Sequence, residues 1–366
     1  MADSLGLYLH IPFCKAKCPY CDFFSGTGSE RDYDDYCAQL KDRIGFWSEK
    51  TDRQIATVYF GGGTPSVLGT ERLCDLLAHV KKRFSVADGA EITVEINPDS
   101  GKALDFEKLR DAGFNRVSIG MQSAVESEAR ALGRIHSVND VSLTVRKAKA
   151  AGIENLSLDL MMGIPLQTKE SLKASVDFCA ELGVKHISSY LLKIEKGTRF
   201  YELRDTLDVA DEDGQADLYL FAVDYLDSLG YRQYEISNFA VEGYESRHNS
   251  AYWQCREYIG IGPSAHSFFE GKRFYYGRSR EEFAQNIIHQ DGCGGDEEEY
   301  IMLALRLKSG LRFDDYEARY RKPPSPLLLK KIDGFVEMGL MERDEKHACF
   351  TPQGFLVSNT VLGELI

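Results

Sequence analysis

The chain has 366 residues, 43% of them hydrophobic and 28% charged, which is enough to bury a sizeable core and to build more than one domain. A net charge of −13 argues against broad affinity for nucleic acid or for anionic membrane surfaces. No run approaches the ~18 uncharged apolar residues of a membrane helix, and MADSLGLYLHIPF lacks the basic and apolar regions of a signal peptide.

In chain order, LGLYLHI (5–11) reads as a strand and 33–49 as a helix. ATVYF (56–60) is a buried strand, followed by a helix over 71–84. EITVEI (91–96) is a strand, and DFEKLRDAG (105–113) is a short helix ended by glycine. RVSIGM (116–121) and NLSLDLMMG (155–163) are strands flanking the helical DVSLTVRKAKAAG (140–152). Helical LKASVDFCAELG (172–183) then leads into the strand HISSYLL (186–192). Strands alternating with helices of this length predict right-handed βαβ units and a parallel sheet. No Gly-x-Gly-x-x-Gly follows the first strand, so an α/β fold of the partial (β/α)6, TIM-like kind is expected over a doubly wound sheet.

From about Asp211 the pattern changes. A long helix (211–229) precedes an aromatic, glycine-containing stretch, and an acidic, glycine-rich segment follows at QDGCGGDEEE. Helical 300–307 and 327–339, with a hairpin-like 340–354, predict a small winged-helix-like α+β domain. Its charge does not suit nucleic acid, so a protein-contact or lid role is expected. The chain thus divides into 1–210, 211–290 and 291–366.

Six of the nine cysteines lie singly, at 37, 74, 179, 255, 293 and 349, as suits a reducing, cytoplasmic compartment. The other three, Cys14, Cys18 and Cys21 in HIPFCKAKCPYCDFF, are clustered. Structural zinc needs a second ligand pair, which is missing. A thioredoxin-type pair leaves Cys14 unexplained. Three thiolates on a [4Fe–4S] cluster leave one iron open to a ligand. The loop follows a strand, at the face of such a barrel where active sites lie.

With YLHIPFC before it and further motifs after it, C-x3-C-x2-C resembles the radical S-adenosylmethionine (SAM) superfamily. The resemblance implies that SAM chelates the open iron and that one electron from the cluster can cleave its sulfonium, releasing a 5′-deoxyadenosyl radical. In FGGGTP (60–65), glycines allow close backbone approach. By resemblance Gly62, Gly63 and Thr64 contact SAM, and Glu95 in VEINP is a SAM-binding acid. Gln122 in SIGMQS and Asp159 in LDLMMGIP stand at or near strand ends, where polar groups can meet ribose hydroxyls or a carboxylate. Arg134 in LGRIHS suits the methionine carboxylate as a bidentate partner. Tyr8 and Tyr20 flank the cluster, and the resemblance suggests contacts with the sulfonium region and adenine.

HIPFC, GGGTP, VEINP, GMQS and DLMMGIP together are similar to the group of oxygen-independent coproporphyrinogen III oxidases and HemW heme chaperones. The oxidases carry a further cysteine two residues after the third cluster ligand, where this chain has Phe23. They also carry an N-terminal extension, whereas here the first strand starts at about Leu5. HNSAYW (248–253) matches the H-N-x-x-Y-W motif of the chaperones. The resemblance implies a heme at His248, Asn249, Tyr252 and Trp253, since an imidazole can ligate heme iron and flat rings can carry a porphyrin. Cys255 and His266 are alternative ligands outside that motif. Implied partners are heme and an acceptor hemoprotein, such as a respiratory one, and a homodimer formed with the cluster present stays open.

Overall fold

A computed structural model describes residues 4–366. Six parallel strands form the frame: β1 (Leu5–Ile11), β2 (Ile55–Gly62), β3 (Val86–Ile96), β4 (Arg116–Gln122), β5 (Asn155–Met162) and β6 (His186–Leu191). They pair in sequential order, as right-handed βαβ units should. The partial barrel does not close. Antiparallel pairs extend both edges: β7 (Arg232–Glu235) and β8 (Asn238–Ala240) beside β6, and β9 (Tyr258–Ile261), β10 (His266–Phe269), β11 (Lys272–Tyr276) and β12 (Ile288–Cys293) beyond β1. Only β9 in these extensions runs parallel to its neighbour, β1. Residues 211–290 therefore continue the main sheet.

Period-two alternation sorts the side chains of each parallel strand. Leu7, Leu9, Val58, Phe60, Ile92 and Val94 join one core with Leu40 and Ile44 of the helix Glu30–Ser48 and with Leu73 and Leu77 of the helix Gly69–Arg83. The other face is polar: Thr57, Glu91, Thr93, Arg116, Ser118, Ser157 and His186 are all buried. Such an interior must satisfy itself or hold a ligand, because unpaired buried polar atoms are costly. The Oγ1 of Thr93 and the Nε of Arg116 are buried without a partner.

The helices start on sequence-encoded caps. Ser29, Ser137 and Thr168 each make a reciprocal capping box, and Asp105 caps Phe106–Ala112, which ends on left-handed Gly113. The C-terminal region has its own three-stranded sheet, β13 (Leu311–Arg312), β14 (Met341–Arg343) and β15 (His347–Phe350), in the order β13-β15-β14. Helices Glu297–Ala304, Phe313–Tyr320 and Pro326–Glu337 accompany it, which gives the winged-helix-like arrangement. Among the described residues no helix is long and apolar enough to cross a membrane.

Candidate cofactor site at the carboxyl ends of the strands

The cysteine loop leaves β1 and returns on itself. Cys14 N donates to the Gly26 carbonyl at 2.8 Å and Gly26 N to that of Pro12 at 3.0 Å. The β2 loop braces it from beside, with Gly63 N on the Ile11 carbonyl at 2.8 Å and Thr64 N on that of Phe13 at 2.7 Å. A Cβ on Gly63 would stand 2.5 Å from the Phe13 oxygen, so glycine is required there for close approach. His10 Nε2 bonds the Phe24 carbonyl at 2.9 Å and holds the far side of the loop.

A cavity of about 520 Å³ opens beside this loop. Cys14, Cys18, Tyr20, Cys21, Gly62, Gly63, Thr64, Glu95, Gln122, Arg134 and Asp159 all line it. Tyr8 does not. Its hydroxyl is spent on His10 Nδ1 at 3.0 Å, and its ring stands one layer deeper, beside Tyr59. The three thiols are free and half-buried. Among the described residues no three metal-binding side chains are close enough to hold a single ion.

Charged groups ring the cavity. Glu95 accepts from Tyr59 Oη at 2.7 Å and from Gly62 N at 3.1 Å. Burial raises its carboxyl to about 7, against the opposing effect of those bonds. Asp159 is raised too, chiefly by burial, although Ser118 donates to it at 3.0 Å. Both are acids in want of a cation. Arg134 places Nη1 3.4 Å from Cys18 Sγ, while Nη2 bonds Asn97 Oδ1 at 2.7 Å and the Gly120 carbonyl at 2.6 Å. Its Nε is buried without a partner, so one donor of the fork is unspent. Gln122 holds a left-handed φ of 73°, a cost that aims the side chain off the strand end into the cavity.

Asn97 escaped the sequence reading. It sits in the quoted VEINP, donates to Thr64 Oγ1 at 3.1 Å and holds Arg134, so it ties three strand ends together. Its position before Pro98, which forces extended backbone, was the available signal.

His248 lies at the opposite end of the barrel. The helix Arg247–Trp253 closes the floor, and His248 is 1% exposed. Its Nδ1 bonds Thr57 Oγ1 and its Nε2 bonds Tyr252 Oη, both at 2.7 Å, while its ring stacks on Tyr59 at 5.0 Å. Burial lowers its pKa to about 3, so the ring is neutral. Both ring nitrogens are thus engaged in hydrogen bonds in this arrangement. Tyr252 packs edge-on against Tyr258 at 4.3 Å, and Asn249 and Trp253 are half-buried. Cys255 is buried beside Arg319.

The partial barrel, its cysteine loop and its cavity define a protein of the radical SAM class, and residues 8–179 match the Radical SAM superfamily. Residues 297–357 match the HemN C-terminal domain. The chain belongs to the HemW heme chaperone family. It is 33% identical to the heme chaperone HemW of Bacillus subtilis, covering 98% of both chains. It is 39% identical to that of Escherichia coli over 72% of this chain and 69% of the relative. The fold is that of the E. coli coproporphyrinogen III oxidase HemN, a radical SAM enzyme, with a TM-score of 0.84 at 22% identity over 99% of this chain and 90% of that one.

Proposed function

We propose that the chain is a cytoplasmic heme chaperone that binds heme and passes it to an acceptor hemoprotein, with a cluster and SAM governing the transfer. The observation that carries this reading is the match along the whole chain to heme chaperones, at 33% identity. Phe23 supports it. It stands where the oxidases have a further cysteine, is 69% exposed and lines the cavity, so a flat apolar group takes the place of a thiol.

Cys14, Cys18 and Cys21 would hold the [4Fe–4S] cluster, which, when loaded with SAM, supplies one-electron cleavage of the sulfonium. Thr64 and Arg134 already direct Oγ1 and Nη1 to Cys14 and Cys18 sulfur, and such bonds favour the thiolates. Glu95 suits the N–H donors of the methionine amino group and the unspent Nε of Arg134 its carboxylate. Asp159 and Gln122 suit hydroxyls.

The test is anaerobic incubation of cluster-loaded protein with coproporphyrinogen III, SAM and reductant. No protoporphyrinogen is expected. Its formation would make the chain an oxidase and overturn the chaperone reading.

A further inference from the structure

Two hydrogen bonds reach cysteine sulfur from the strand ends, and the amide of Asn97 joins their donors. Thr64 Oγ1 donates to Cys14 Sγ and Arg134 Nη1 to Cys18 Sγ, each at 3.4 Å. Between them, Asn97 Oδ1 accepts from Arg134 Nη2 at 2.7 Å and Asn97 Nδ2 donates to Thr64 Oγ1 at 3.1 Å.

The polarity of this relay is forced. A guanidinium only donates, so the amide must turn its oxygen to Arg134 and its nitrogen to Thr64. A threonine hydroxyl carries one proton. With Asn97 donating to the hydroxyl oxygen, that proton is directed to the Cys14 sulfur. A carboxylate at position 97 would offer only acceptors and would draw the proton away from sulfur.

The amide is held in place on several sides. The Asn97 carbonyl accepts from Gly101 N at 2.7 Å and Ser100 N at 3.1 Å, and Asn97 N donates to Ser66 Oγ at 3.3 Å. At the end of β4, a Cβ on Gly120 would stand 3.0 Å from Asn97 Oδ1 and 3.2 Å from Arg134 Nη2. The bare backbone there lets the amide and the guanidinium pack against the strand.

A donor on a cluster thiolate offsets part of the negative charge that reduction adds, so it raises the reduction potential. We propose that Asn97 is a positioning residue that sets the potential of the cluster, by committing the Thr64 hydroxyl to Cys14 and holding the Arg134 guanidinium against Cys18. This rests on the reading of Cys14, Cys18 and Cys21 as cluster ligands. Asn97 acts through Thr64 and Arg134.

The experiment is an anaerobic redox titration of the cluster-loaded full chain without SAM. Dithionite is the one-electron reductant, and the reduced cluster is read by electron paramagnetic resonance. Wild type is compared with Thr64→Val, Asn97→Asp and the double variant. Thr64→Val keeps the shape, removes the hydroxyl and lowers the potential. Asn97→Asp lowers the ratio of reduced to oxidised cluster about tenfold at fixed poise, a shift of about 59 mV. In the Thr64→Val background that shift shrinks, because no hydroxyl remains to redirect, whereas an effect of charge alone would be the same in both. Asn97→Ala shows the same dependence on Thr64 and stands in should Asn97→Asp take up no cluster. Equal shifts in the two backgrounds, or a wild-type potential in Thr64→Val, overturn the assignment while the cluster reading stands. A wild-type chain without a cluster signal overturns the cluster reading itself.

Discussion

Glu95 shows how one buried residue couples the cavity to pH. Burial raises its carboxyl from 4.5 to about 7, so folding favours the protonated acid and the stability it contributes falls as pH rises across that window. The amino group of chelated SAM, which only donates hydrogen bonds, needs the carboxylate instead. SAM affinity, measured by calorimetry on cluster-loaded protein, should therefore fall as pH drops through about 7, and Glu95→Gln should bind SAM weakly with little of that slope. An equal slope in Glu95→Gln would place the titration elsewhere. Much of this site was legible in the sequence, because three clustered cysteines, a glycine triplet and polar residues at strand ends are local patterns. Tyr8 stands beside the cavity lining, against Tyr59 and His10. Sequence position gives the strand, and only packing against Tyr59 and His10 gives the depth.

At the scale of elements, the helix Arg247–Trp253 closes the barrel floor. HNSAYW lies in a seven-residue helix that acts as a plug. The reason lies in β3, far off in sequence. Glu91 turns both carboxylate oxygens onto that helix's first amides, Arg247 N and His248 N, each at 3.0 Å. A carboxylate at a helix amino terminus meets both unsatisfied amides and the helix dipole. Glu91→Ala leaves two amides bare and should cost about 2–3 kcal/mol, read as a lower urea midpoint. An unchanged midpoint would show that the plug holds by packing alone. The six long βαβ strands were legible from period and caps. The short strands β7 to β12 were not, because three to six residues rich in aromatics and glycine give no stable period.

For the whole molecule, thiol accessibility reports the cluster without reference to activity. Cys37, Cys179, Cys255 and Cys349 are buried, and burial pushes the Cys37 thiol up to about 11. Cys293 is exposed on β12. Removing the cluster anaerobically should thus add three rapidly alkylated thiols, Cys14, Cys18 and Cys21, identified by peptide mapping. Fewer than three would refute the ligand assignment. In the C-terminal region, Ile332→Ala empties a fully buried site and should cost about 2–5 kcal/mol, seen as an earlier thermal transition. That region's winged-helix form was legible from its helix–helix–hairpin order, while its place beside the barrel was not. Arg319 reaching the Cys255 carbonyl at 3.3 Å joins segments 64 residues apart. The most direct measurement of the central claim is transfer of heme from the loaded chain to a heme-free acceptor hemoprotein, followed by absorbance under anaerobic conditions. The acceptor's own spectrum should grow as the donor's Soret band declines, with the porphyrin unchanged. Heme that stays on the chain, or a porphyrin that is chemically altered, would contradict it.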